Sequence, residues 1–315
     1  MARRTAWSHG GLARALVDRA RGSDSAPGAA RMAATLSARM KISVLMPFQD
    51  AEATIEAALR SLLLQSHRDL EVLAIDDGSR DSSRTRVTAL AREDDRVRML
   101  GDERRRGLSA RLNEGIDAAT GELVSRMDAD DAAHPERLSA QAAALASGAS
   151  LDLIGAAVVV IRDGEALGVR RFPRDHASIM ASAWRGVPMA HPCLLGRAEW
   201  FRGHRYDEHL PRAQDQELLL RAAPHSRYGN LVRPLLAYRE PTNEAARSES
   251  RRCRRIAVRR HRGAVAAMML SLRDSVASRR SRDPRRGLEP LSETEQAAWR
   301  TLARSGRWPD PDSQS

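Results

Sequence analysis

The sequence predicts an α/β protein built on a mostly parallel β-sheet with helices on both faces. From residue 41, short apolar runs alternate with segments of helical apolar spacing, in units of about 20–30 residues. That order favours parallel strands joined by crossover helices. The chain of 315 residues is 42% apolar, which is enough for a sizeable core. Two of the apolar runs end in acidic clusters.

The first half of the sheet is predicted from four apolar runs and three intervening helices. Ile42–Met46 is apolar and ends at Pro47, which is typical of a buried strand. Residues 52–65 then place apolar side chains at helical spacing. The predicted strands are 42–46, 70–75, 96–100 and 121–127, and the predicted helices are 52–65, 81–92 and 109–119.

The second half is less regular. A strong apolar run is followed by Asp163-Gly164, a turn pair that predicts a hairpin. The predicted strands are 153–161, 168–172 and 231–239, and the predicted helices are 175–185 and 214–223. Residues 1–39, rich in Ala, Arg, Gly and Ser, indicate a flexible or disordered extension. Residues 242–315 are expected to form an arginine-rich helical extension with a disordered tail from residue 305.

Charge is unevenly distributed. The net charge is +11 overall, but +5 in residues 1–40, +8 in 242–315 and −2 in 41–241. A nucleic-acid enzyme more often carries its positive charge across the folded domain, so no nucleic-acid partner is expected. Basic ends fit peripheral contact with an anionic membrane surface. A compositional bias toward arginine is the alternative, because Lys41 is the single lysine.

The expected location is the cytoplasm, including the inner face of the membrane. Cys193 and Cys253 lie 60 residues apart without a CxxC pair, which excludes a disulfide framework. No apolar run approaches the ~18 residues of a spanning helix. The first residues are basic but have no apolar core of a secretory signal.

The acidic clusters predict a phosphate and metal site. Asp76-Asp77 and Asp128-Ala129-Asp130 follow the second and fourth strands, and ligands of open α/β sheets bind at such strand ends. An Asp-x-Asp pair supplies the one or two carboxylates that Mg²⁺ or Mn²⁺ needs beside a diphosphate. An acidic turn without metal is the alternative. Neither a G-x-G-x-x-G nor a P-loop is present.

Asp215 is the candidate general base. It stands at the start of the predicted helix 214–223, where unpaired backbone N–H groups favour negative charge. We therefore expect a lowered pKa and an ionised carboxylate that can accept a proton. A capping carboxylate without catalytic duty is the alternative.

Six ordered motifs over about 200 residues carry a family resemblance. They are ISVLMPFQDAEATIEAALRSLLLQ, LEVLAIDDGS, RGLSARLNEGIDAATGELVSRMDADDAAHPERL, HPCLL, AQDQELLLRA and PLLAYR. The chain resembles the family 2 glycosyltransferases, whose fold is the GT-A type. The resemblance implies a GT-A domain at 40–241, with a nucleotide-sugar-binding half at 40–150 and an acceptor half at 151–241.

The resemblance also implies roles and partners. The reaction would invert the anomeric centre, take a nucleotide-sugar donor and act on a glycan or lipid-linked acceptor, in the synthesis of surface polysaccharide or lipopolysaccharide. Pro47 and Asp50 would line the nucleotide pocket, and Asp77 would contact the nucleotide base. Asp128 would contact the ribose or the donor sugar, and Asp130 would bind Mg²⁺ or Mn²⁺. Asp215 would be the general base.

Three positions depart from the family pattern. Gln49-Asp50 stand where Tyr-Asn is common, Leu112-Asn113 replace an Arg-Asn pair, and Gln214 replaces a Glu. Without an acidic neighbour, Asp215 is expected to ionise more readily.

Two further residues are candidates for the acceptor side, His191 before Pro192 and Trp184. Core packing is the alternative for both. Two other functions remain open at this stage. A nucleotidyltransferase would need a glycine-rich basic loop after the first strand, which Pro47-Phe48-Gln49-Asp50 does not offer. A non-catalytic nucleic-acid binder would use the basic ends.

Overall fold

A computed structural model describes residues 37, 39–147, 150–184, 186–240, 244–278, 285 and 287–309. Most of the predicted N-terminal extension, residues 1–36 and 38, lies outside the described residues, as do residues 310–315 of the predicted tail. Among the described helices, none is long and apolar enough to cross a membrane.

The strands are β1 Ile42–Phe48, β2 Leu70–Asp77, β3 Val97–Asp102, β4 Leu123–Arg126, β5 Ala132–Ala133, β6 Leu153–Arg162, β7 Glu165–Arg170, β8 Leu195–Arg197 and β9 Tyr228–Arg239. The helices are α1 Ile55–Leu63, α2 Ser83–Glu93, α3 Leu108–Ala118, α4 Arg137–Ala146, α5 His176–Ser182, α6 Ala198–Gly203, α7 Gln214–Ala222, α8 Glu244–Ser278 and α9 Glu293–Ser305. Short 3₁₀ turns lie at His191–Cys193 and Ala223–His225.

Within the described residues the strands form one sheet, in the order β3-β2-β1-β4-β8-β6-β9-β5, with β7 paired to β6. The pairs β1–β2, β1–β4 and β2–β3 are parallel, so the predicted parallel sheet with its crossover helices is confirmed. The direction of winding reverses between β1 and β4. Ligands bind at such a switch point in open α/β sheets.

β1 runs two residues further than predicted, through Pro47 to Phe48. Pairing with β4 ends at Leu45, whereas pairing with β2 continues to Phe48. Pro47, which has no backbone N–H, therefore lies where β1 has a strand neighbour on one side only.

The second half adds antiparallel pairing that the apolar pattern did not predict. β8 pairs antiparallel with both β4 and β6, and the predicted hairpin joins β6 to β7. β6 and β9 are parallel and link this half into the same sheet. Strands as short as β8 and β5, of 3 and 2 residues, contain too few side chains to show a period.

The core lies on both faces of the sheet, as the alternation along β1 requires. Ile42, Val44 and Met46 pack on the face covered by α1, α2 and α4. Leu45 packs on the other face, against α3, α6 and α7. Each fully buried apolar side chain of this size stabilises the fold by roughly 1.5–3 kcal/mol.

Two of the described helices follow the sheet. α8 is broken at Gly263, which has a φ of 85°. Its first part is held against the domain by ion pairs from Arg212 to Glu249, at 3.0 Å, and from Arg260 to Asp207, at 2.8 Å.

α9 packs on the edge of the sheet. Trp299 and Leu302 are buried beside β6, β7 and β9. Trp308, in the region where disorder was expected, packs against Trp299 with ring centroids 5.0 Å apart. Ordered packing thus continues past residue 305 as far as the described residues extend.

Candidate active site

A cleft of about 870 Å³ opens at the carboxyl ends of β1, β2 and β4. Its walls also include the loop before α3, the start of α7 and residues of α8. Five of the predicted site residues line it: Pro47, Asp77, Asp128, His191 and Asp215. The volume is in the range of small-molecule sites in proteins.

Asp128, Asp130 and Asp131 form the acidic cluster beside the cleft. Carboxylate oxygens of all three lie within 4.8 Å of one another. Asp131, which is buried, is joined to β9 because its Oδ1 accepts a hydrogen bond from the backbone N–H of Arg239 at 2.8 Å. Desolvation by the surrounding protein and the negative charge of Asp128 raise the pKa of Asp130 to about 6, although the Asp130 side chain reaches solvent.

The cluster fits a divalent cation. The Oδ2 atom of Asp131 is buried without a hydrogen-bond partner, and burial raises the pKa of this carboxyl well above its usual value. Carboxylate oxygens of three aspartates within 4.8 Å of one another, beside a buried unsatisfied carboxylate oxygen, are the kind of ligand that Mg²⁺ and Mn²⁺ take in proteins. Asp131 is a residue that the sequence reasoning left out, although it directly follows the predicted pair.

Asp128 is held by Arg126, the last residue of β4. The guanidinium donates from its two terminal nitrogens to the two carboxylate oxygens, at 2.7 Å for Nη1. Arg126 was also missed by the sequence reasoning. The signal for it is a single arginine in an otherwise apolar strand, two residues before the first aspartate.

Asp77 shapes the opposite wall of the cleft. Its carboxylate accepts hydrogen bonds from the backbone N–H groups of Arg106, at 2.7 Å, and Gly107, at 3.0 Å. The buried Arg111 adds a further bond at 3.2 Å. Asp77 therefore fixes the loop that brings Arg105 and Arg106 to the cleft.

The structure does not place Asp50 on the cleft wall. Asp50 is exposed, has a φ of 48°, and accepts a hydrogen bond from the backbone N–H of Arg80 at 2.7 Å. This contact joins the loop after β1 to the loop after β2.

Asp215 lies at the start of α7. Its pKa is shifted in the direction opposite to the expected one. Removal of water by the surrounding protein raises the pKa of Asp215, while the backbone N–H of Gln216 and the charge of Arg126 oppose that rise. The predicted lowered pKa is thus wrong, because desolvation outweighs the helix terminus. A raised pKa makes the carboxylate a stronger proton acceptor. Ala213, just before the helix, is in the left-handed region with a φ of 57°.

His191 forms a buried contact with Tyr206. Its Nε2 lies 2.9 Å from the hydroxyl of Tyr206, and Asn113 binds the Tyr206 backbone through bonds of 3.0 Å to N–H and C=O. Burial and the nearby charge of Arg126 lower the pKa of His191 well below its usual value, so the ring is neutral.

Trp184 lies away from the cleft wall. Its ring packs with Leu220 of α7 and with Val258 and Leu270 of α8, which is the core role left open for it.

α8 contributes to the outer wall of the cleft, through Glu249 and Ser250. The ion pair between Glu249 and Arg212 joins α8 to the loop that leads into Asp215. Nothing in the local sequence indicates this contact, because the two residues are 37 positions apart.

The comparisons with known proteins agree with this geometry. The profile described as glycosyl transferase family 2 matches residues 43–203. The putative glycosyltransferase EpsE of Bacillus subtilis (strain 168) is 30% identical over 209 residues, covering 64% of this chain and 74% of that protein. A Campylobacter jejuni protein, GalNAc(5)-diNAcBac-PP-undecaprenol beta-1,3-glucosyltransferase, is 35% identical over 92 residues, or 29% of this chain and 30% of that one.

Solved structures share the fold. TarS 1–349 of S. aureus in complex with UDP-GlcNAc has a TM-score of 0.57 and 20% identity, covering 84% of this chain and 79% of that chain. Glucosyl-3-phosphoglycerate synthase of Mycobacterium tuberculosis with Mn²⁺, UDP and glucosyl-3-phosphoglycerate has a TM-score of 0.55 and 19% identity, covering 76% and 86%.

Proposed function

The chain belongs to glycosyl transferase family 2, and from this we propose that it moves a sugar from a nucleotide-diphosphate donor to a hydroxyl acceptor with inversion at the anomeric carbon. One observation carries the proposal. Asp128, a member of the acidic cluster, and Asp215, on a different element, line the same cleft. Direct displacement needs one leaving-group site and one separate base, and it needs no enzyme nucleophile.

The step that we propose uses Asp215 as general base. Asp215 takes the proton of the acceptor hydroxyl as that oxygen forms its bond to the anomeric carbon. The bond from the anomeric carbon to the phosphate oxygen breaks at the same time, and its electron pair leaves with the nucleoside diphosphate. The raised pKa of Asp215 supports this role, since a base near the operating pH is most efficient.

The leaving group is the second part of the proposal. Asp130 and Asp131, with Asp128 beside them, would hold Mg²⁺ or Mn²⁺. A divalent cation bound there would stabilise the negative charge that grows on the diphosphate. The chain's own contribution on the other wall is Arg105 and Arg106, which Asp77 holds in place.

The acceptor that we propose is a glycan or a lipid-linked glycan of the cell surface, with the reaction in the cytoplasm. The name of the Campylobacter jejuni relative supports a polyprenyl-linked acceptor. Peripheral contact with an anionic membrane is part of this proposal. It is supported by the basic stretch 242–315 and by Met268 and Met269, which are 58% and 49% exposed on α8.

The first test measures turnover and donor binding in the same variants. Incubation with a panel of nucleotide sugars and Mn²⁺ is expected to release nucleoside diphosphate. Asp215→Ala should lower turnover by at least ~10²-fold, the scale of a lost acid–base group. Asp130→Ala should lower turnover by a factor on the order of 10² or more, because a catalytic metal ion contributes several kcal/mol to stabilisation of the transition state. In calorimetry, Asp130→Ala alone should lose the Mn²⁺-dependent part of nucleotide binding.

Asp95→Ala is the matched control, because Asp95 is an exposed aspartate away from the cleft. Its turnover should equal that of the unaltered protein. Near-normal turnover in Asp215→Ala would disprove the assigned base. Release of pyrophosphate instead of nucleoside diphosphate would favour a nucleotidyltransferase.

A further inference from the structure

α8 forms one side of the cleft. Two of its residues, Glu249 and Ser250, are among the residues that line the cleft. The family profile matches residues 43–203, so α8 lies outside the stretch that this match covers. The role of the polar surface that α8 adds to the cleft therefore has to come from its own contacts.

Glu249 lies on the face of α8 that packs against the domain. Cys253 and Ala257 follow it at intervals of four residues, the spacing of neighbouring side chains on one helix face. Both are fully buried. Further along α8, Nε2 of His261 lies 3.0 Å from Oε1 of the buried Glu217, in α7. These contacts fix α8, and Glu249 with it, relative to the cleft.

Arg212 holds the carboxylate of Glu249. The guanidinium Nε donates to Oε2 of Glu249 at 3.0 Å. The two side chains are 44% and 43% exposed, so the carboxylate stays open to a ligand. Arg212 also lines the cleft, three residues before Asp215. The ion pair thus connects α8 to the segment that leads into the proposed base.

The position of this ion pair indicates which substrate it meets. In the proposed reaction, the donor lies between the loop held by Asp77 and the acidic cluster that includes Asp128, whereas the acceptor hydroxyl reaches Asp215. Glu249 is joined to the segment before Asp215, and so to the acceptor end. An ionised carboxylate only accepts hydrogen bonds, and a sugar ring offers several hydroxyl donors besides the one that reacts.

We propose that Glu249 is a specificity-determining residue for the acceptor. Its carboxylate accepts a hydrogen bond from a sugar hydroxyl other than the one that reacts at Asp215, and Arg212 holds the carboxylate in place. The inference rests on the proposed function and deepens it, because it names the group of the acceptor that the site recognises.

The experiment measures acceptor KM, donor KM and kcat with a p-nitrophenyl glycoside as the acceptor. The glycosides of glucose, galactose, mannose and N-acetylglucosamine are compared first, and the best substrate of the unaltered protein is used. Glu249→Ala should raise acceptor KM about tenfold, the scale of a lost hydrogen bond to a charged group. Glu249→Gln keeps a neutral oxygen acceptor and should raise acceptor KM about threefold.

Donor KM and kcat should stay within about twofold of the unaltered protein in both variants. The contact is made equally before and during the reaction, so its loss weakens binding without slowing the chemical step. Hydrolysis of the donor in the absence of acceptor should also be unchanged, since water needs no contact with Glu249.

Arg260→Met is the matched control. Arg260 lies on the same helix and forms a comparable ion pair, 2.8 Å from its Nη1 to Oδ2 of Asp207, but it does not line the cleft. Its loss weakens the docking of α8 without removing a group from the cleft, so acceptor KM should stay within about twofold. Thermal unfolding should show all three variants folded, because the Glu249 and Arg260 side chains are 43% and 47% exposed.

Monodeoxy forms of the same glycoside identify the hydroxyl. In the unaltered protein, one deoxy form should have an acceptor KM about tenfold above that of the parent glycoside. In Glu249→Ala that difference should disappear, because both partners of the hydrogen bond are then gone.

Three results would each overturn the proposal: an acceptor KM of Glu249→Ala within about twofold of the unaltered protein, a deoxy effect that persists in Glu249→Ala, or an equal rise of acceptor KM in Arg260→Met. Failure of the proposed function is a separate result. It would appear as absence of sugar transfer in the unaltered protein, or as full activity of Asp215→Ala.

Discussion

At the scale of single residues, Glu71 shows how the edge of the sheet opposite the cleft is stabilised. Glu71 is buried at the start of β2 and accepts hydrogen bonds from Ser43 Oγ at 2.6 Å and Thr120 Oγ1 at 2.7 Å. Arg98 adds a charged bond at 2.7 Å. One carboxylate thus joins β1, β2, β3 and the segment before β4 at the amino ends of these strands.

Glu71→Gln tests the contribution of this carboxylate to stability. Burial works against the charge, but the bonds from Ser43, Thr120 and Arg98 outweigh it and lower the pKa from 4.5 to about 2. A pKa lowered in the folded state gives stability that is complete above the unfolded value and is lost as pH falls toward the folded value. We expect urea unfolding at pH 7 to show a loss of roughly 2–4 kcal/mol, a difference that shrinks between pH 4.5 and 2.

Glu56→Gln is the control for this prediction. Glu56 pairs with Arg60 on the surface of α1 at 2.7 Å, with both side chains more than one third exposed. Such pairs contribute ~0.3–0.5 kcal/mol. Equal losses of unfolding free energy in the two variants at pH 7 would contradict the account of Glu71.

The candidate site shows which residue properties a sequence can predict. Strand-end position predicted the placement of Asp77 and Asp128, because parallel strands deliver their carboxyl ends to one edge. Asp215 was predicted from its position at a helix start, and Pro47 from the family resemblance; all four line the cleft. The ionisation of Asp215 was predicted wrongly, since burial depends on parts of the chain that no local window contains. The partners of Asp77, the backbone N–H groups of Arg106 and Gly107, are 29 and 30 positions away and also lie outside any local window.

At the scale of elements, regular alternation decides what is predictable. The run from β1 to β4 was predicted because long apolar strands and amphipathic helices have clear periods. α4 was missed because its 10 residues are alanine-rich and include only two leucines to mark an apolar face. α6 and β8, of 6 and 3 residues, were also missed. Short elements of this kind exist because the rest of the sheet supplies their partners, and a short segment has no period of its own.

The contact of α9 with α1 gives a prediction at this scale. α9 ends at Gly306, which has a φ of +69°, and a Cβ there would stand 2.1 Å from the carbonyl oxygen of Ala57. Gly306→Ala should therefore lower the free energy of unfolding by roughly 1–3 kcal/mol, because backbone atoms must move apart. Chemical denaturation measures this change.

Gly203→Ala is the matched control, since a Cβ at Gly203 meets nothing within 4 Å. Its unfolding free energy should be unchanged or slightly higher, as helices favour alanine. An unaffected Gly306→Ala would mean that α9 can leave α1 without cost.

At the scale of the whole molecule, α8 connects the cleft to an exposed basic and apolar surface. Near its start, Glu249 and Ser250 line the cleft. Further along, Arg252, Arg259 and Arg262 are exposed, and after the break at Gly263 come the exposed Met268 and Met269. Because α8 contributes to the cleft, deletion of residues 242–315 would remove part of the site together with any membrane contact. Point substitutions in α8 can instead test the membrane contact without removing part of the cleft.

The membrane contact that we propose predicts a lipid-dependent distribution. Each basic residue near an anionic surface contributes ~1 kcal/mol, and each apolar side chain that leaves water adds roughly 1.5–3 kcal/mol. The double variant Met268→Glu and Met269→Glu loses the apolar part and gains repulsion, so its co-sedimentation with vesicles containing anionic lipid should fall at least about tenfold. Leu64→Glu, at a side chain 45% exposed at the end of α1, should co-sediment like the unaltered protein.

Turnover of a water-soluble acceptor should stay constant in both variants, because neither Met268 nor Met269 lines the cleft. Binding that is equal on neutral and anionic vesicles, or unchanged in the double variant, would refute the contact and leave the transferase activity unaffected.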